Sequence, residues 1–393
     1  MNAVYGVASL MSGFMAAYAI RNLLSSENFQ YGRHANLNGL RGLLSLIMFV
    51  CHAATWQQYI EDGQWRVSSS PLLIIPGQTG IVIFFMITGF LFAKKYLDNP
   101  NKKIDWIKVY CSRIFRLYPA YLLSMFILFS IVTFISLKNE STIQNIDLFS
   151  YLKWLLFTIP GAPPLNGLPD TNIMVAGVTW SLTFEWAFYF SLPIIASILG
   201  TKTSWPAIFF GTSMLLITMY LIPFFGLIYF MIFIGILSAI FDKYTNFQKT
   251  LNGKIFGSLA LLLLVINGFI NSKTSYNVTS IAIIGLAFLI FSAGNDIFGS
   301  LNTKSMQIFG LGTYSIYLLH GSLLYITLNT LKSNNFELYK TNEGFWLIIV
   351  ILAPILVIFS TLSYVFIEAP SMKHHGKFAR KVHGIINFFK NRP

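Results

Sequence analysis

The sequence contains few charged residues. Only 10% of its 393 residues are Asp, Glu, Lys or Arg, whereas 55% are hydrophobic and 16% are aromatic. Because soluble domains carry about a quarter charged residues, this composition excludes a water-soluble globular protein, and its apolar content excludes a disordered chain. The mean hydropathy of +0.64 agrees with both exclusions. The composition therefore predicts a protein of the membrane.

Cysteine is also scarce, since the chain has only Cys51 and Cys111, 60 residues apart. So few cysteines exclude a small disulfide scaffold, and their separation matches neither a metal site nor a redox pair. We therefore predict two ordinary thiols. For the chain as a whole we predict no metal site and no permanently bound cofactor.

Acidic residues are outnumbered: 27 Lys and Arg stand against 14 Asp and Glu, which gives a net charge of +13. In a soluble protein such an excess would suggest a nucleic-acid partner. Here the basic residues lie in the loops between apolar runs. Their distribution therefore indicates orientation in a lipid bilayer, and no nucleic acid is predicted as a partner.

Long apolar runs recur along the whole chain, and a helix needs about 17–25 such residues to cross a bilayer. They lie at about 3–20, 39–60, 72–93, 118–137, 177–199, 204–222, 224–241, 255–271, 278–293, 306–330 and 345–367. The sequence thus predicts an all-α, polytopic transmembrane helical bundle of about ten or eleven spans. We divide it into an apolar helix with a cytoplasmic loop (1–36), a transmembrane domain (37–370) and a basic tail (371–393).

Two basic segments orient the predicted spans. The first holds Lys94, Lys95, Lys102, Lys103, Lys108, Arg113 and Arg116, and the second, after Glu368, holds Lys373, Lys377, Arg380, Lys381, Lys390 and Arg392. The positive-inside rule places both in the cytoplasm. We therefore expect a multi-pass protein of a cell membrane, the bacterial inner membrane, with a cytoplasmic C-terminus. The longest outside segment, 138–176, is either a re-entrant element over an outward cavity or a plain Pro/Gly connector.

Three titratable side chains are predicted at membrane depth: His52, Glu185 and His320. Counting ~1.5 Å of rise per residue places His52 about 20 Å, His320 about 21 Å and Glu185 about 18 Å from the inner face. Ionisable groups at such depth are costly and are usually functional. We therefore predict that the three share one site, against the alternative of three separately satisfied buried residues.

Three arginines lie near the predicted inner face. Arg41 precedes His52 by eleven residues, a rotation of ~1100° that places both on one face of a helix. Arg113 and Arg116 share a face because of their i, i+3 spacing. Guanidinium groups bind phosphates in a bidentate manner, so this trio predicts an anion site at the inner face. The alternative is that Arg113 and Arg116 only anchor the topology.

Five short blocks follow one another along the chain. They are Leu37–Gly42 with His52, Phe84–Phe90, Arg113–Pro119, Trp180–Glu185, and the closing pair Tyr314–His320 with Phe366–Pro370. In this order they resemble the motifs of the acyltransferase-3 family of integral-membrane acyltransferases. Two positions differ: Asn38 stands where that family usually has Asp, and Thr88 stands where it usually has Ser.

The resemblance implies transfer of an acyl group, usually acetyl, from acetyl-CoA to a hydroxyl of a glycan or lipid-linked saccharide such as an O-antigen. It implies that the acyl-CoA co-substrate is bound by Arg41, Arg113 and Arg116. The implied catalytic residues are His52, Glu185 and His320. The implied supporting residues are Asn38, Trp180, Ser181, Tyr317 and Glu368. The imidazole of His52 would act either as a general base or through an acetyl-histidine intermediate.

Two other classes of function account for part of the pattern. A proton-coupled transporter or flippase of saccharides would use His52, Glu185 and His320 as a proton relay. The chain lacks the repeat symmetry common in transporters, and this alternative leaves the arginines without a role. A haem protein ligated by His52 and His320 depends on one histidine pair alone. Acyl transfer is therefore the leading hypothesis.

Overall fold

The computed structural model describes residues 2–22, 24, 34–138, 146–221, 225–245 and 248–390. The longer elements in these ranges are the helices α1 (Asn2–Ile20), α2 (Ala35–Asp62), α3 (Pro71–Leu97), α4 (Trp106–Lys138), α5 (Leu148–Leu155), α6 (Trp180–Ile198), α7 (Trp205–Leu221), α8 (Phe225–Tyr244), α9 (Lys254–Ile270), α10 (Val278–Ser292), α11 (Lys304–Ser333), α12 (Asn342–Ser363) and α13 (Ala369–Lys390). A π-helical turn, Tyr364–Glu368, joins α12 to α13. Every predicted apolar run coincides with a helix, which confirms the all-α, polytopic class.

Seven helical segments of the described chain are long and apolar enough to cross a membrane: α1, α2, α3, α4, α6, α8 and the continuous stretch of α12 and α13. The apolar helices α7, α9 and α10 are shorter, and 17 residues span only about 25 Å of a ~30 Å hydrocarbon core. Helix α11 has 30 residues, but polar side chains interrupt it. The multi-pass class is confirmed, and the count of ten or eleven spans stays a prediction.

The chain divides into two compact units. Unit 1 comprises Met1–Asp98, Ile173–Gly177 and Phe224–Thr361, and unit 2 comprises Asn99–Asn172, Val178–Pro223 and Leu362–Pro393. The chain passes several times from one unit to the other. The three consecutive segments with boundaries at 37 and 370 therefore stay a prediction. Most of the predicted loop 21–36 and Arg392 lie outside the described residues.

Among the described residues of unit 1, glycines bring two pairs of helices into backbone contact. Helices α2 and α11 meet where a β-carbon on Gly42 would collide with the backbone of Gly310. Helices α3 and α8 meet at Gly89 and Gly235, and a β-carbon on either would collide with the backbone of the opposite helix. Small residues allow such approach, and close packing is the main attraction between helices in lipid. The crossing at Gly89 explains the glycine in the block Phe84–Phe90.

The crossing of α2 and α11 sets the register of two histidines. His52 lies ten residues after Gly42, and His320 lies ten residues after Gly310. Before this crossing Gly39 of α2 packs on Met306 near the start of α11, and after it His52 contacts His320, so the two helices run in the same direction. Because both rise by ~1.5 Å per residue, equal spacing brings both histidines to the same level.

Helix α1 packs within unit 1. The hydroxyl of Ser12 donates to the carbonyl of Val350 in α12 at 2.8 Å, and a β-carbon on Gly13 would press on the side chain of Leu46 in α2. The first apolar run is thus a helix held against two other helices, and the close approach at Gly13 accounts for the glycine in its sequence.

In unit 2, the segment after α5 packs against α4 and α6. The ring of Phe157 stacks on Tyr121 with centroids 4.5 Å apart and lies 5.2 Å from Trp186. The Tyr121 hydroxyl donates to the carbonyl of Trp154 at 2.5 Å. Phe157 and Thr158 have φ values of 57° and 54°, so the chain makes a left-handed turn here. This part of the segment 138–176 is therefore a packed element rather than a plain connector.

Candidate active site

His52 and His320 form a direct hydrogen-bonded pair in unit 1. Nδ1 of His52 lies 2.7 Å from Nε2 of His320, the ring planes differ by 12°, and the centroids are 4.9 Å apart. Parallel rings stacked face to face cannot bring their atoms much closer than about 3.5 Å. The imidazoles therefore meet edge to edge, with the hydrogen bond nearly in both ring planes. Two of the three predicted titratable residues are thus in contact.

A backbone carbonyl determines the tautomers of the neutral pair. Nδ1 of His320 lies 2.9 Å from the carbonyl oxygen of Ile316, which only accepts, so this nitrogen carries the proton. In a neutral imidazole the other nitrogen is an acceptor, and Nε2 of His320 therefore accepts from Nδ1 of His52. It follows that Nε2 of His52 keeps its lone pair and is the nitrogen available to a substrate.

The two rings differ in their access to solvent. His320 is 0% exposed, with Phe49 edge-on at 6.5 Å and Tyr317 at 6.0 Å between ring centroids. The next residue, Gly321, packs so closely on the backbone of Val175 that a β-carbon would not fit. His52 is half-buried. The buried histidine thus holds the accessible one, an arrangement suited to a base and the group that orients it.

The same distance bears on the haem hypothesis. Two histidines that ligate one haem iron lie on opposite sides of it, so with bonds of about 2 Å their nitrogens would be about 4 Å apart. Nδ1 of His52 and Nε2 of His320 are only 2.7 Å apart. The pair is built as a hydrogen bond between the imidazoles and not as a pair of ligands to one ion.

Asn38 links the two helices near their start. Its Nδ2 donates to Oε1 of Gln307 at 3.0 Å, while Nε2 of Gln307 donates to the carbonyls of Ala35 at 2.8 Å and Leu301 at 3.3 Å. The side chains of Asn38 and Gln307 are buried. A hydrogen bond therefore persists at the position where the family usually has Asp. Sequence reasoning missed Gln307, which no motif marks.

Arg41 lies on α2, which runs without a proline from Ala35 to Asp62. Eleven residues of regular helix place Arg41 about 16 Å along the axis from His52, on the same face. Its side chain is half-buried. The shared face is as the sequence predicts, and the binding of an anion by Arg41 stays a prediction.

Glu185 lies in unit 2, within a chain of polar side chains. Tyr189, one turn later in α6, donates its hydroxyl to Oε1 of Glu185 and accepts a hydrogen bond from Arg113. Tyr189 is 2% exposed, whereas Glu185 and Arg113 are half-buried. Sequence reasoning missed Tyr189, although its i, i+4 spacing from Glu185 indicates contact. The predicted partnership of Glu185 with His52 stays a prediction.

Arg116 lies one turn after Arg113 and contacts the C-terminal helix, with Nη1 3.2 Å from Sδ of Met372. Glu368 is fully buried at the end of the π-helical turn. Arg116 and Glu368 both lie within electrostatic reach of the Tyr364 hydroxyl in that turn. The charges of Glu368 and of Arg116, a predicted anion-binding residue, thus both influence the phenol of Tyr364.

The remaining predicted residues have structural contacts. Ser181 donates its hydroxyl to the carbonyl of Val178 at 3.2 Å, in the first turn of α6. Trp180 is 39% exposed and lies edge-on to Phe184 at 5.8 Å between ring centroids. Their supporting roles in the reaction stay predictions.

Comparison with known proteins supports the sequence interpretation. The family model described as an acyltransferase domain, acyltransferase-3, matches residues 34–365. The chain is similar to Acyltransferase MdmB of Streptomyces mycarofaciens, with 30% identity over 175 residues, which are 41% of this chain and 39% of that protein. It is also similar to Nodulation protein 10 of Rhizobium leguminosarum bv. viciae, with 23% identity over 188 residues, 44% of this chain and 47% of that protein. No solved structure matches.

The family match covers most of the chain, whereas the aligned part spans less than half of either curated relative. The chain therefore belongs to the acyltransferase-3 family, as its five sequence blocks predict. Together with its apolar helices, this membership makes it a multi-pass membrane protein.

Proposed function

We propose that this protein is an O-acyltransferase that moves an acyl group, acetyl in the simplest case, from acyl-CoA to a hydroxyl of a glycan or lipid-linked saccharide. The observation that carries the proposal is the lone pair on Nε2 of His52, which is fixed by the hydrogen bonds from His52 to His320 and from His320 to the Ile316 carbonyl. Membership of the family and the name of the Streptomyces relative support the reaction class. The proposed location is a bacterial inner membrane, with a cytoplasmic C-terminus.

In the proposed reaction, Nε2 of His52 takes the proton of the acceptor hydroxyl while the oxygen attacks the carbonyl carbon of the thioester. The tetrahedral intermediate then expels the CoA thiolate as the C–S bond breaks. The proton on His52 passes to this thiolate, so the products are an O-acyl ester and CoA with a free thiol. His320 is a positioning residue, because it fixes the tautomer and stabilises the imidazolium ion as it forms.

Acyl-CoA carries several negative charges and needs cationic partners. We propose that Arg113 and Arg116 bind its phosphates, and that Arg41 also contributes to binding acyl-CoA. Guanidinium groups bind phosphate oxygens through two parallel hydrogen bonds. Tyr189 and Glu185 would hold Arg113 in one orientation before the donor arrives. Such preorganisation reduces the entropy lost on binding.

The test uses purified protein in lipid nanodiscs, [14C]acetyl-CoA, and envelope polysaccharide from a strain of the source organism that lacks this gene. We expect the wild-type protein to transfer alkali-labile label to the polysaccharide and the His52→Gln variant to transfer none. His374→Gln, a change at an exposed histidine in α13, is the matched control and should retain full activity. Transfer by His52→Gln at the wild-type rate would overturn the assignment.

Two further outcomes separate the alternatives. Label that stays on the wild-type protein without acceptor, is released by acid or by neutral hydroxylamine, and is absent from His52→Gln would indicate an acetyl-histidine route through the same nitrogen. A wild-type protein that carries labelled saccharide across a sealed vesicle membrane, and acetylates none of it, would support the transporter.

A further inference from the structure

We propose that an aromatic cluster on the far side of His52 from Arg41 binds a sugar ring of the acceptor. The cluster consists of Trp56, Tyr59, Trp65 and Tyr325, all in unit 1. The inference depends on the proposed function for the class of substrate. It adds the place where the saccharide is held and the side chains that hold it.

Trp56 forms the centre of the cluster. Its ring centroid lies 5.5 Å from that of Tyr59, 5.2 Å from that of Trp65 and 5.9 Å from that of Tyr325, and all three contacts are edge-on. Trp56 is 3% exposed, whereas the other three side chains are half-buried. The cluster therefore has a buried floor and three rings that reach the surface.

The cluster extends the same helix face as the histidine pair. Trp56 and Tyr59 follow His52 by four and seven residues, so they lie about 6 and 10 Å farther along α2 on that face. Tyr325 follows His320 in α11 and contacts Trp56. A sugar ring seated on the cluster would thus hold a hydroxyl of the same or the neighbouring sugar near Nε2 of His52. Arg41 lies in the opposite direction along α2.

The chemistry of the cluster fits a saccharide. The C–H faces of a pyranose pack on aromatic rings, and its hydroxyls need polar partners at the edge of the site. Asp62 accepts from Nε2 of Gln58 and from Nε of Arg66, each at 2.9 Å, so an amide, a carboxylate and a guanidinium are bonded together on residues next to or near Tyr59 and Trp65 in the chain. These bonds also fasten the turn that follows α2 and brings Trp65 back onto the helix.

Aromatic residues also gather at membrane interfaces as anchors in lipid. An anchor turns its ring to the lipid, but Trp56 is enclosed by the other three rings. Its buried indole N–H meets no acceptor within the described part of the chain. A water or a saccharide hydroxyl that entered the cluster could accept from this donor. Enclosure and an unsatisfied donor favour a binding site over an anchor.

The experiment replaces Trp65, which lies in a loop and can be changed without disturbing a helix. With the nanodisc assay and the same envelope polysaccharide, Trp65→Ala should raise the polysaccharide concentration for half-maximal transfer roughly tenfold. Hydrolysis of acetyl-CoA without polysaccharide should not change. Trp65→Phe keeps a ring and should stay within about threefold of the wild type. Trp205→Ala, at a tryptophan 81% exposed in unit 2, is the matched control.

The proposal fails if Trp65→Ala behaves like Trp205→Ala, or if it lowers hydrolysis and transfer together. A binding measurement separates this failure from failure of the proposed function. The inactive His52→Gln protein should retain tritiated envelope polysaccharide on nanodiscs, and the double variant with Trp65→Ala should lose it. If the wild-type protein transfers no acetyl group while retention by His52→Gln still depends on Trp65, the proposed enzyme function fails and the saccharide site stands. Equal retention by both variants would refute the saccharide site.

Discussion

The two units hold their proposed functional side chains by different means. In unit 1, His52 and His320 form a neutral chain that ends on a backbone carbonyl of α11. In unit 2, Arg113, Tyr189 and Glu185 form a chain that joins opposite charges through a phenol. A neutral chain fixes a tautomer and leaves one lone pair, which suits proton transfer. A charged chain fixes a guanidinium and partly neutralises it, which suits the reversible binding of an anion.

The largest effect should come from removing the lone pair on Nε2 of His52. His52→Gln keeps a polar side chain of similar size but removes the basic nitrogen, so kcat should fall at least about 10³-fold, within the range of general-base catalysis. The affinity for CoA, measured by titration calorimetry in nanodiscs, should not change. A fall in CoA affinity as large as the fall in kcat would show that His52 contributes to binding of the donor. The contrast between proton transfer in unit 1 and anion binding in unit 2 would then be wrong.

Removing the partner in unit 1 should have the next largest effect. His320→Phe keeps a buried ring but takes away the acceptor for Nδ1 of His52, so the imidazole can turn and change tautomer. We expect kcat to fall roughly 10²-fold with little change in KM. His320→Gln, whose amide oxygen can accept the same bond, should recover part of that loss. Equal activity of the two variants would indicate that His320 only fills space.

In unit 2, Tyr189→Phe should weaken the binding of the acyl-CoA donor rather than lower kcat. The change removes one hydroxyl and with it the bonds to Arg113 and Glu185, while the ring remains. The CoA dissociation constant should rise roughly tenfold, as expected when one charge-linked hydrogen bond is lost. Ser191→Ala, a loss of a hydroxyl elsewhere in α6, provides the control. A loss confined to kcat would show that the two units do not divide the work as proposed.

The smallest effect should distinguish the two arginines of unit 2. Lysine keeps the charge but loses the bidentate fork, so both Arg113→Lys and Arg116→Lys should weaken CoA binding. Arg113→Lys also breaks the bond to Tyr189 and should cost about tenfold, against about threefold for Arg116→Lys. Normal CoA binding by both variants would reduce these arginines to topology anchors.

The helices could be predicted from sequence because the apolar length of a run is a local property. Each of the eleven runs coincides with a helix, including the first. The number of spans was harder, since α11 is buried along most of its length. A helix enclosed by protein can carry polar residues that would be excluded from a lipid-facing span. An average hydropathy over the helix therefore omits α11, although the apolar run 306–330 is visible in the sequence.

The site was only partly predictable, because side-chain partners depend on how helices cross. Depth counting placed His52 and His320 at one level, and the matching ten-residue spacing from Gly42 and Gly310 would have strengthened that inference. Nothing local, however, indicates that Gln307 meets Asn38, or that the Nδ1 atom of His52 is bonded to a histidine. These contacts come from a crossing of two helices far apart in sequence.

That separation has a consequence for how the protein is made. His52 enters the membrane long before its partner exists, because 268 residues separate the two histidines and the ribosome adds about 5–20 residues per second, a delay of roughly 13–54 s. During this interval a polar ring lies in a helix with no imidazole to satisfy it. Unit 1 cannot close until its last segment, ending at Thr361, has emerged. Until then α2 carries an imidazole without the partner that it has in the folded protein, and a ribosome that pauses between α2 and α11 would prolong that state.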